Sequence, residues 1–465
     1  LALSGINTIN LVGDECIDII DMESMYYKYS KLGDKCSTIL KYHMNELNST
    51  TNINCIDKLG IFVPNSIVVV INQSSNDAII INKMCRDNNC KMVYMLSYGL
   101  AGSIFVDCLD THTVFDTNGE IKDPINIKDI TINGTIHCDK HNFNNGDLVQ
   151  FTTLQGTNIS YLKDQQWKIN SINTHSIKIV QIDNDTFNLP TDFKFINGTI
   201  EYIPKPTTFS HNSLEDELKN SNEVFNNLIN NVKNEYIYTK DIILEPVTSI
   251  MSGFASTEVI KLLSMKYTPI SQWFEWSDHK IFTNYDSYEN VMNEYNNIKK
   301  LLKEQNILMI GCGALGCEWL KNLAMLDCNN IDIVDPDHIE KSNLSRQFLF
   351  RPYHVGQSKC KTAINMISKI NPCMTLNGYE NKLTSEDINF TNKCFKNKTI
   401  VISALDNIEA RRYVDMMCFD KTLPLFESGT MGMKSNTQPV IPYITETYSN
   451  MNDAEDTVQF PVCTI

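Results

Sequence analysis

Residues that could bind a nucleotide are concentrated in positions 307–340. Gly311, Gly313 and Gly316 have the spacing G-x-G-x-x-G between two apolar runs, with an amphipathic stretch before the second run. Such glycines permit a tight turn and let backbone N–H groups at a helix start approach a phosphate. Asp335 comes 24 residues after Gly311, where such units place a carboxylate on the ribose hydroxyls. The pattern predicts a nucleotide-binding βαβ unit.

The residues after this unit favour adenylation over hydride transfer. Asn343, Arg346 and Gln347 lie just past the candidate ribose acid, and Lys359 follows Arg346 by 13 residues. Attack on the α-phosphate of ATP builds negative charge on the phosphate oxygens, which fixed donors and a metal ion must stabilise. An NAD-dependent oxidoreductase shares the glycine-rich turn but needs no such cations, so it would leave Arg346 and Lys359 unexplained.

A third apolar run, residues 399–405, predicts another buried strand. Asp406 and Asn407 follow it, and residues 408–419 predict a helix. In open α/β sheets, ligands bind where such strands end at their carboxyl side. Hard cations at phosphates take carboxylate oxygen and water as ligands, so Asp406 is the candidate Mg²⁺ ligand.

Three of these residues also have an ordinary structural interpretation. Arg346 could form a surface ion pair, Lys359 could be a solvated helix lysine, and Asp406 could cap the helix after it. Their common position after a nucleotide-binding unit favours the binding interpretation for all three.

Four stretches resemble the active adenylation half of the ubiquitin-activating enzymes. They read GCGALGCE, DPDHIEKSNLSRQFLFRP, SALDNIEARRYVD and ESGTMGMKSNTQPVIP, and the likeness extends from about Ile307 to the end of the chain. The resemblance implies ATP and Mg²⁺ as cofactors, with Asp335 on the ribose and Asp406 on the metal ion. The implied binding set is Gly311, Gly313, Ala314, Asp335, Asn343, Arg346, Gln347, Lys359, Asp406 and Asn407.

The last six residues, Phe460-Pro461-Val462-Cys463-Thr464-Ile465, are similar to the family's Pro-x-Cys-Thr signature. In the family this cysteine receives ubiquitin as a thioester, which suits a thiolate because it attacks an acyl-adenylate readily. Most of the 15 cysteines in the chain are expected to be buried and inert, so only the surrounding motif singles out Cys463. Cys463 and Arg346 are therefore the predicted catalytic residues.

Length, charge and cysteine usage limit the class of protein. At 465 residues the chain exceeds the roughly 250–300 at which single cores stop growing, so two to four domains are expected. Its 40 basic and 55 acidic residues give a net charge of −15, which argues against nucleic acid and anionic membranes as partners. We expect no membrane span, because no run of about 18 apolar residues occurs. The odd cysteine count and irregular spacing indicate a reducing compartment.

The amino-terminal two-thirds of the chain predicts a second α/β unit interrupted by a β domain. Residues 67–71 and 91–96 predict strands, with a helix at 75–88 between them. Residues 114–203 have short alternating runs and Asn-Gly turns, typical of a small barrel, in which Cys138 is expected in the core. Residues 255–263 predict a helix that returns to the first unit.

By resemblance, the fold class is α/β, with two ThiF/Rossmann-like adenylation halves, the inactive one partial. The chain begins without methionine and without the family's opening βαβ unit, so we expect an internal fragment. The implied domains are a partial inactive half at 1–113, an inserted first catalytic-cysteine half-domain at 114–203, a short helical bundle at 204–242, the closing segment of the inactive half at 243–282 and the active adenylation domain at 283–465.

The resemblance implies a single-chain ubiquitin-activating enzyme of the cytoplasm and nucleus. It would adenylate the carboxyl-terminal glycine of ubiquitin, form a thioester on Cys463 and deliver ubiquitin to ubiquitin-conjugating enzymes. Two alternatives stay open: an activating enzyme for another ubiquitin-like modifier, and a fragment that binds ATP and ubiquitin without turnover.

Overall fold

The computed structural model of the chain describes residues 1–18, 21, 27, 30–60, 62–119, 124–163, 165–182, 188–220, 244–277, 287–431 and 434–450. Within these ranges the strands form a six-stranded sheet, a four-stranded sheet, a closed six-stranded barrel and two two-stranded sheets. Helices pack on both larger sheets. This architecture confirms the predicted α/β class with an inserted barrel.

The amino-terminal part is built from short strands and two helices. The parallel pair β1–β2 precedes a second parallel pair, β3–β4, whose crossover connection is α2, and β5 continues antiparallel to β4. The strands and helix predicted at 67–96 are thereby confirmed, with small shifts at their ends. The elements are β1 (Thr8–Val12), α1 (Cys36–Leu47), β2 (Asn52–Ile56), β3 (Ile67–Ile71), α2 (Ser75–Asp87), β4 (Lys91–Tyr98), β5 (Ala101–Asp107) and β6 (His112–Val114).

The inserted barrel closes in the strand order β10-β11-β8-β7-β12-β9. Alternate residues point inward, so Trp167 and Ile200 are fully or almost fully buried in its core. Cys138 is 1% exposed among them, which confirms its predicted core position. The elements are β7 (Ile125–Ile130), β8 (Thr135–Cys138), β9 (Leu148–Thr157), β10 (Trp167–Asn173), β11 (Ser176–Val180) and β12 (Lys194–Ile203).

After the barrel the chain returns to the four-stranded sheet. Its elements are β13 (Thr207–Phe209), α3 (Leu214–Asn220), α4 (Glu245–Ser264) and β14 (Trp273–Ser277). Strand β14 pairs with β5, and α4 packs on β4 and β5 through buried residues such as Met251. The predicted helix start at residue 255 was wrong. The helix begins at Glu245 because Pro246 falls in its first turn, where a missing N–H costs no hydrogen bond.

The helical bundle predicted at 204–242 is described only in part. Residues 204–220 include β13 and α3, whereas residues 221–242 lie outside the described residues. The predicted division into five domains therefore stays a prediction.

The carboxyl-terminal part carries the six-stranded sheet in the order β17-β16-β15-β18-β19-β20. The strands are parallel up to β19, and β20 returns antiparallel. The predicted strand at 399–405 and helix at 408–419 appear as β18 and α9. The elements are α5 (Tyr288–Lys303), β15 (Asn306–Ile310), α6 (Ala314–Met325), β16 (Asn330–Val334), α7 (Lys359–Ile370), β17 (Thr375–Tyr379), α8 (Ile388–Phe395), β18 (Ile400–Ser403), α9 (Ile408–Asp420), β19 (Leu425–Met431) and β20 (Lys434–Val440).

Alternation along the central strand explains why helices cover both faces. In β15, Ile307 and Met309 face a core formed with α6 and α7, whereas Leu308 and Ile310 face one formed with α8 and α9. The strand order reverses between β15 and β18. In open α/β sheets a crevice for ligands forms at such a reversal, outside the carboxyl ends of the strands.

Candidate functional site

The glycine-rich loop after β15 packs directly against the loop after β18. Gly311 has a φ of +91°, and a Cβ atom there would lie 2.6 Å from the carbonyl oxygen of Ala404. A Cβ atom on Gly316 would lie 3.1 Å from the carbonyl carbon of Gly311 and closer still to its oxygen. These two glycines therefore bring strand, loop and helix α6 together. Gly313 is the N-cap of α6, and Ala314 is the first residue of that helix.

Asp335 joins this loop to the end of β16. Its carboxylate is almost fully buried, and its Oδ2 accepts a hydrogen bond from the N–H of Cys312 at 2.6 Å. Its Oδ1 accepts one from the N–H of Asp337 at 2.8 Å. Burial raises the pKa of Asp335, while these hydrogen bonds and the charge of Lys359 oppose the shift. The candidate ribose acid thus lies against the backbone of the glycine-rich loop.

Lys359 is a buried cation at the start of α7. It is 9% exposed, and its Nζ donates to Oδ2 of Asp337 at 2.8 Å, while its N–H donates to the Asp337 carbonyl at 3.0 Å. Burial lowers the pKa of Lys359, but the hydrogen bond to Asp337 and the charges of Asp335 and Asp337 outweigh it, so the pKa is raised overall. The alternative that Lys359 is a solvated helix lysine was wrong.

Asn343 and Gln347 lie in and beside the short 3₁₀ helix Lys341–Ser345. Oδ1 of Asn343 accepts a hydrogen bond from the N–H of Glu340 at 3.0 Å, which fixes this buried side chain. Gln347 is 3% exposed, and its Oε1 accepts no hydrogen bond from the described residues. Its Nε2 is 3.9 Å from the position that a Cβ atom on Gly313 would take. The Gln347 amide therefore faces the glycine-rich loop.

Arg346 lies at the end of the same 3₁₀ helix and is half-buried. Its Nη1 donates to the carbonyl of Ser342 at 2.9 Å. Within the described part of the chain it forms no ion pair, so the alternative that Arg346 belongs to a surface ion pair gains no support.

Asp406 and Asn407 follow β18 at the same edge of the sheet. The side chain of Asn407, not that of Asp406, caps α9 by accepting a hydrogen bond from the N–H of Ala410 at 2.8 Å. The alternative that Asp406 caps this helix was therefore wrong. Asp406 is exposed, and in the described ranges its carboxylate has neither a hydrogen bond nor an ion pair.

Two residues that the sequence analysis missed hold the Asp406 turn in place. Arg411 donates from Nε and Nη2 to the carbonyl of Leu405, at 3.0 and 2.6 Å, and from Nη2 to the carbonyl of Ser428 at 3.4 Å. Its Nε is 3.2 Å from Oε1 of Glu427, which is 3% exposed. Burial raises the pKa of Glu427 to about 7, and the charge of Arg411 opposes that shift only in part.

The signal for these residues was weak in the sequence. Arg411 and Arg412 are adjacent in the quoted motif, and only the folded helix shows that Arg411 faces the sheet. Glu427 begins another quoted motif, but its burial follows from the position of β19 beside β18.

The structure thus brings most of the predicted residues to one edge of the sheet. Described contacts join the glycine-rich loop to Asp335, to Gln347 and to the loop that precedes Asp406, and they join Lys359 to Asp337. No described contact joins Arg346 to these groups. Cys463 lies outside the described residues.

The cysteines that are described are free thiols, and ten of the fourteen are buried. This confirms, for that part of the chain, the expectation that most cysteines are buried. In the same ranges, no three Cys, His, Asp or Glu side chains are grouped so as to hold a metal ion. No described helix has the length and apolar character needed to span a membrane.

Comparisons with known proteins agree with the position of this site. The ThiF family matches residues 289–465, which include all of the six-stranded sheet. Along its whole length the chain is 28% identical to "Ubiquitin-activating enzyme E1 1" of Candida albicans, of which it covers 53%. It is 27% identical, again along its whole length, to human "Ubiquitin-like modifier-activating enzyme 1", of which it covers 51%.

Two further matches are shorter. Mouse "Ubiquitin-like modifier-activating enzyme 6" is 29% identical over 90% of the chain, which covers 46% of that protein. A crystal structure of E. coli MccB with AMPCPP and MccA has a TM-score of 0.32 and 21% identity, over 37% of this chain and 51% of that one. The chain spans about half the length of the curated relatives it matches. It is an E1-like protein, similar to the ubiquitin-activating enzymes, with a ThiF domain at residues 289–465.

Proposed function

We propose that this chain catalyses the ATP-dependent activation of ubiquitin. It adenylates the carboxyl-terminal glycine of ubiquitin, transfers the acyl group to Cys463 as a thioester and delivers ubiquitin to ubiquitin-conjugating enzymes. The similarity to ubiquitin-activating enzymes along the whole chain supports the substrate. The geometry at the edge of the six-stranded sheet supports the use of ATP.

The single observation that carries this proposal is the buried ammonium of Lys359. A buried lysine without a partner would lose its charge, but the acids beside Lys359 keep its pKa raised. Its direct partner, Asp337, has a side chain that is 63% exposed. Such exposed ion pairs contribute only about 0–1 kcal/mol, so a phosphate group can replace Asp337 as the partner at little cost. Lys359 is thus a preformed cation for an incoming triphosphate.

In the first step, a carboxylate oxygen of ubiquitin attacks the α-phosphorus of ATP. The bond from this phosphorus to the bridging oxygen breaks, and pyrophosphate leaves with the electron pair. Lys359 and Arg346 stabilise the charge that develops on the phosphate oxygens, as fixed donors do in such reactions. Asp335 holds the ribose, while the N–H groups at the start of α6 bind phosphate.

In the second step, the Cys463 thiolate attacks the carbonyl carbon of the acyl-adenylate. A carbon–sulfur bond forms, the bond to the phosphate oxygen breaks, AMP leaves, and the thiol proton goes to solvent. Thiolates suit this step because they are nucleophilic and form acyl bonds that a second thiol can attack.

The residues at the edge of β18 fit Mg²⁺. Asp406 offers an exposed carboxylate without a described partner, and Mg²⁺ binds through one or two carboxylates together with phosphate oxygens and water. That no larger set of metal-ligating side chains is described nearby agrees with this mode of binding. When bound, Mg²⁺ would supply positive charge to the phosphates.

The proposal extends to partners and compartment. The net charge of −15 suits a partner with a basic face, as ubiquitin-conjugating enzymes often have, and disfavours nucleic acid and anionic membranes. Cytoplasm and nucleus are the proposed compartments. An activating enzyme for another ubiquitin-like modifier is the second candidate, because one relative is a "Ubiquitin-like modifier-activating enzyme 6".

Intact mass spectrometry after incubation with ATP, Mg²⁺ and ubiquitin tests the proposal. We expect a thiol-sensitive adduct of one ubiquitin mass that is lost in Cys463→Ala and kept in Cys373→Ala, which removes an exposed cysteine of the same domain. Absence of the adduct with ubiquitin, but not with another ubiquitin-like protein, would favour the second candidate.

Pyrophosphate exchange separates the two steps. Asp406→Ala should abolish ubiquitin-dependent exchange, Cys463→Ala should keep it, and Glu409→Ala, which removes an exposed acid in the first turn of α9, should behave as the wild type. Normal exchange in Asp406→Ala would refute the metal assignment. Nucleotide and ubiquitin binding without exchange would indicate a fragment that does not turn over.

A further inference from the structure

The short 3₁₀ helix Tyr448–Asn450 is fastened to α9 by one buried carboxylate. Asp415 is 2% exposed. Its Oδ1 accepts a hydrogen bond from the N–H of Tyr448 at 3.3 Å, and its Oδ2 accepts from the N–H and Oγ of Ser449 at 3.0 and 2.6 Å. The Arg411 guanidinium lies 6.0 Å from the centre of the Tyr448 ring, which is itself buried. We call Asp415, Tyr448 and Ser449 the Asp415 clamp.

The clamp depends on its segment because a buried carboxylate needs hydrogen-bond donors. All three donors described for Asp415 come from two consecutive residues, Tyr448 and Ser449. If this segment lifted from α9, the carboxylate would lose those donors at once, which is costly for a charged group in the interior. The position of residues 448–449 is therefore fixed more firmly than surface packing alone would fix it.

The clamp also sets the direction of the chain. Strand β20 runs antiparallel to its neighbour and ends at Val440, far from the carboxyl edge where nucleotide binding is proposed. Helix α9 starts at that carboxyl edge and runs away from it. Because Tyr448 contacts both Asp415 and Arg411, the chain after β20 has turned back along α9 towards the carboxyl edge.

The distances are set by simple geometry. Eight residues separate Asp415 from Asn407 at the start of α9, about 12 Å at the helical rise per residue. Cys463 follows Asn450 by 13 residues, which span at most roughly 45 Å when extended. A chain held only from Val440 would have 23 residues to Cys463 and would start from the opposite edge. The clamp thus shortens the free chain and moves its origin close to the proposed site.

We propose that Asp415 is a positioning residue for thioester formation. It holds the chain at Tyr448 and Ser449, so that the segment carrying Cys463 starts beside the adenylate, and it takes no part in adenylation. This inference rests on the proposed function. It assigns to Asp415 an effect on the second step alone.

Two variants test the inference. Asp415→Asn replaces one acceptor oxygen by a donor, and Ser449→Ala removes one hydrogen bond at an exposed position. Asp420→Asn, an exposed acid on the same helix, is the matched control. Loss of hydrogen bonds to a buried charge shifts the held state about tenfold or more. In single-turnover assays we expect thioester formation to slow at least about tenfold in Asp415→Asn and less in Ser449→Ala. Pyrophosphate exchange should stay within about twofold of wild type in every variant.

Hydrogen exchange of the Tyr448 and Ser449 amides measures the clamp without activity. Both amides should exchange at least about tenfold faster in Asp415→Asn, while amides of β15 and β18 should keep wild-type rates. Equal loss of both steps, unchanged thioester formation, or unchanged amide exchange would overturn the inference. If the wild type neither exchanges pyrophosphate nor forms an adduct, the proposed function fails, whereas amide exchange still decides whether Asp415 holds the segment.

Discussion

A methyl group added at Gly313 or at Gly316 should separate nucleotide binding from folding within one motif. Gly313 has a φ of −78°, which an alanine adopts without strain, and the nearest atom to its added Cβ would be Nε2 of Gln347 at 3.9 Å. Gly316 lies against the fixed backbone of Gly311, whose carbonyl carbon would be 3.1 Å from the added Cβ. The first methyl group enters open space, and the second enters a packed contact.

These contacts give different free energies of unfolding. Overpacking costs about 1–3 kcal/mol, and the helix preference of alanine over glycine returns up to about 1 kcal/mol. Gly316→Ala should therefore destabilise the domain by about 1–2 kcal/mol. In Gly313→Ala, the poorer N-cap costs up to about 1 kcal/mol, and the reduced entropy of the unfolded chain offsets about 0.4–1 kcal/mol. Its net effect should stay within about 0.5 kcal/mol.

The order reverses for ATP. A phosphate must approach the loop N–H groups to about 2.9 Å, and a methyl group on the Gln347 side of Gly313 obstructs that approach. Loss of one hydrogen bond to a charged group costs about 1.5–3 kcal/mol, or roughly a ten- to hundredfold weaker Kd. Calorimetric ATP titration and urea denaturation measure the two effects. A Gly313→Ala protein with wild-type ATP affinity, or a Gly316→Ala protein with wild-type stability, would refute the reasoning.

Three further predictions concern charged groups at the same edge. Lys359→Met should lower pyrophosphate exchange roughly a hundredfold or more, whereas Lys361→Met, which removes a neighbouring exposed lysine paired with Glu380, should not; equal loss in both would contradict the role of Lys359. Arg411→Lys cannot reproduce the two-nitrogen contact with the Leu405 carbonyl, so the Mg²⁺ concentration for half-maximal exchange should rise severalfold, with exposed Arg412→Lys as control and an unchanged Mg²⁺ requirement as the contrary result. Because the pKa of Glu427 is raised to about 7, the folded state holds its proton between about pH 4.5 and 7 when the unfolded state does not; stability should therefore fall as pH rises through this window, by on the order of 3 kcal/mol. Urea denaturation between pH 5 and 8 checks this, and Glu427→Gln should flatten the curve; the same slope in both proteins would show that another group is responsible.

The sequence predicted well the parts of the fold that short segments encode. The glycine spacing at 311–316 is set by the turn, by helix packing and by the approach of a phosphate, all within a few residues. Strands β3, β4 and β18 are apolar runs bounded by polar residues, so their positions also follow from local pattern. The start of α4 was missed because Pro246 was treated as part of a loop, although proline is favoured in a first helical turn.

The parts that were missed depend on contacts between distant segments. Lys359 is buried because β16 places Asp337 beside the start of α7, 22 residues along the chain. The carbonyl of Leu405 is held by Arg411 because α9 packs against β18 and β19, which also bring Glu427 within 3.2 Å of that arginine. Neither arrangement has a period or a spacing that a single sequence reveals.

This difference has a physical consequence for the site. Groups predicted to touch the nucleotide lie on loops at the sheet edge, where local spacing determines what they can reach. The groups that hold those loops, Asp337, Arg411 and Glu427, come from helix starts and strand ends that meet only in the folded chain. Because a displacement of about 1 Å in a reacting group can slow a reaction a hundredfold, the holding groups should matter as much to the rate as the binding groups. Variants of Arg411 are therefore as informative about this site as variants of Asp406.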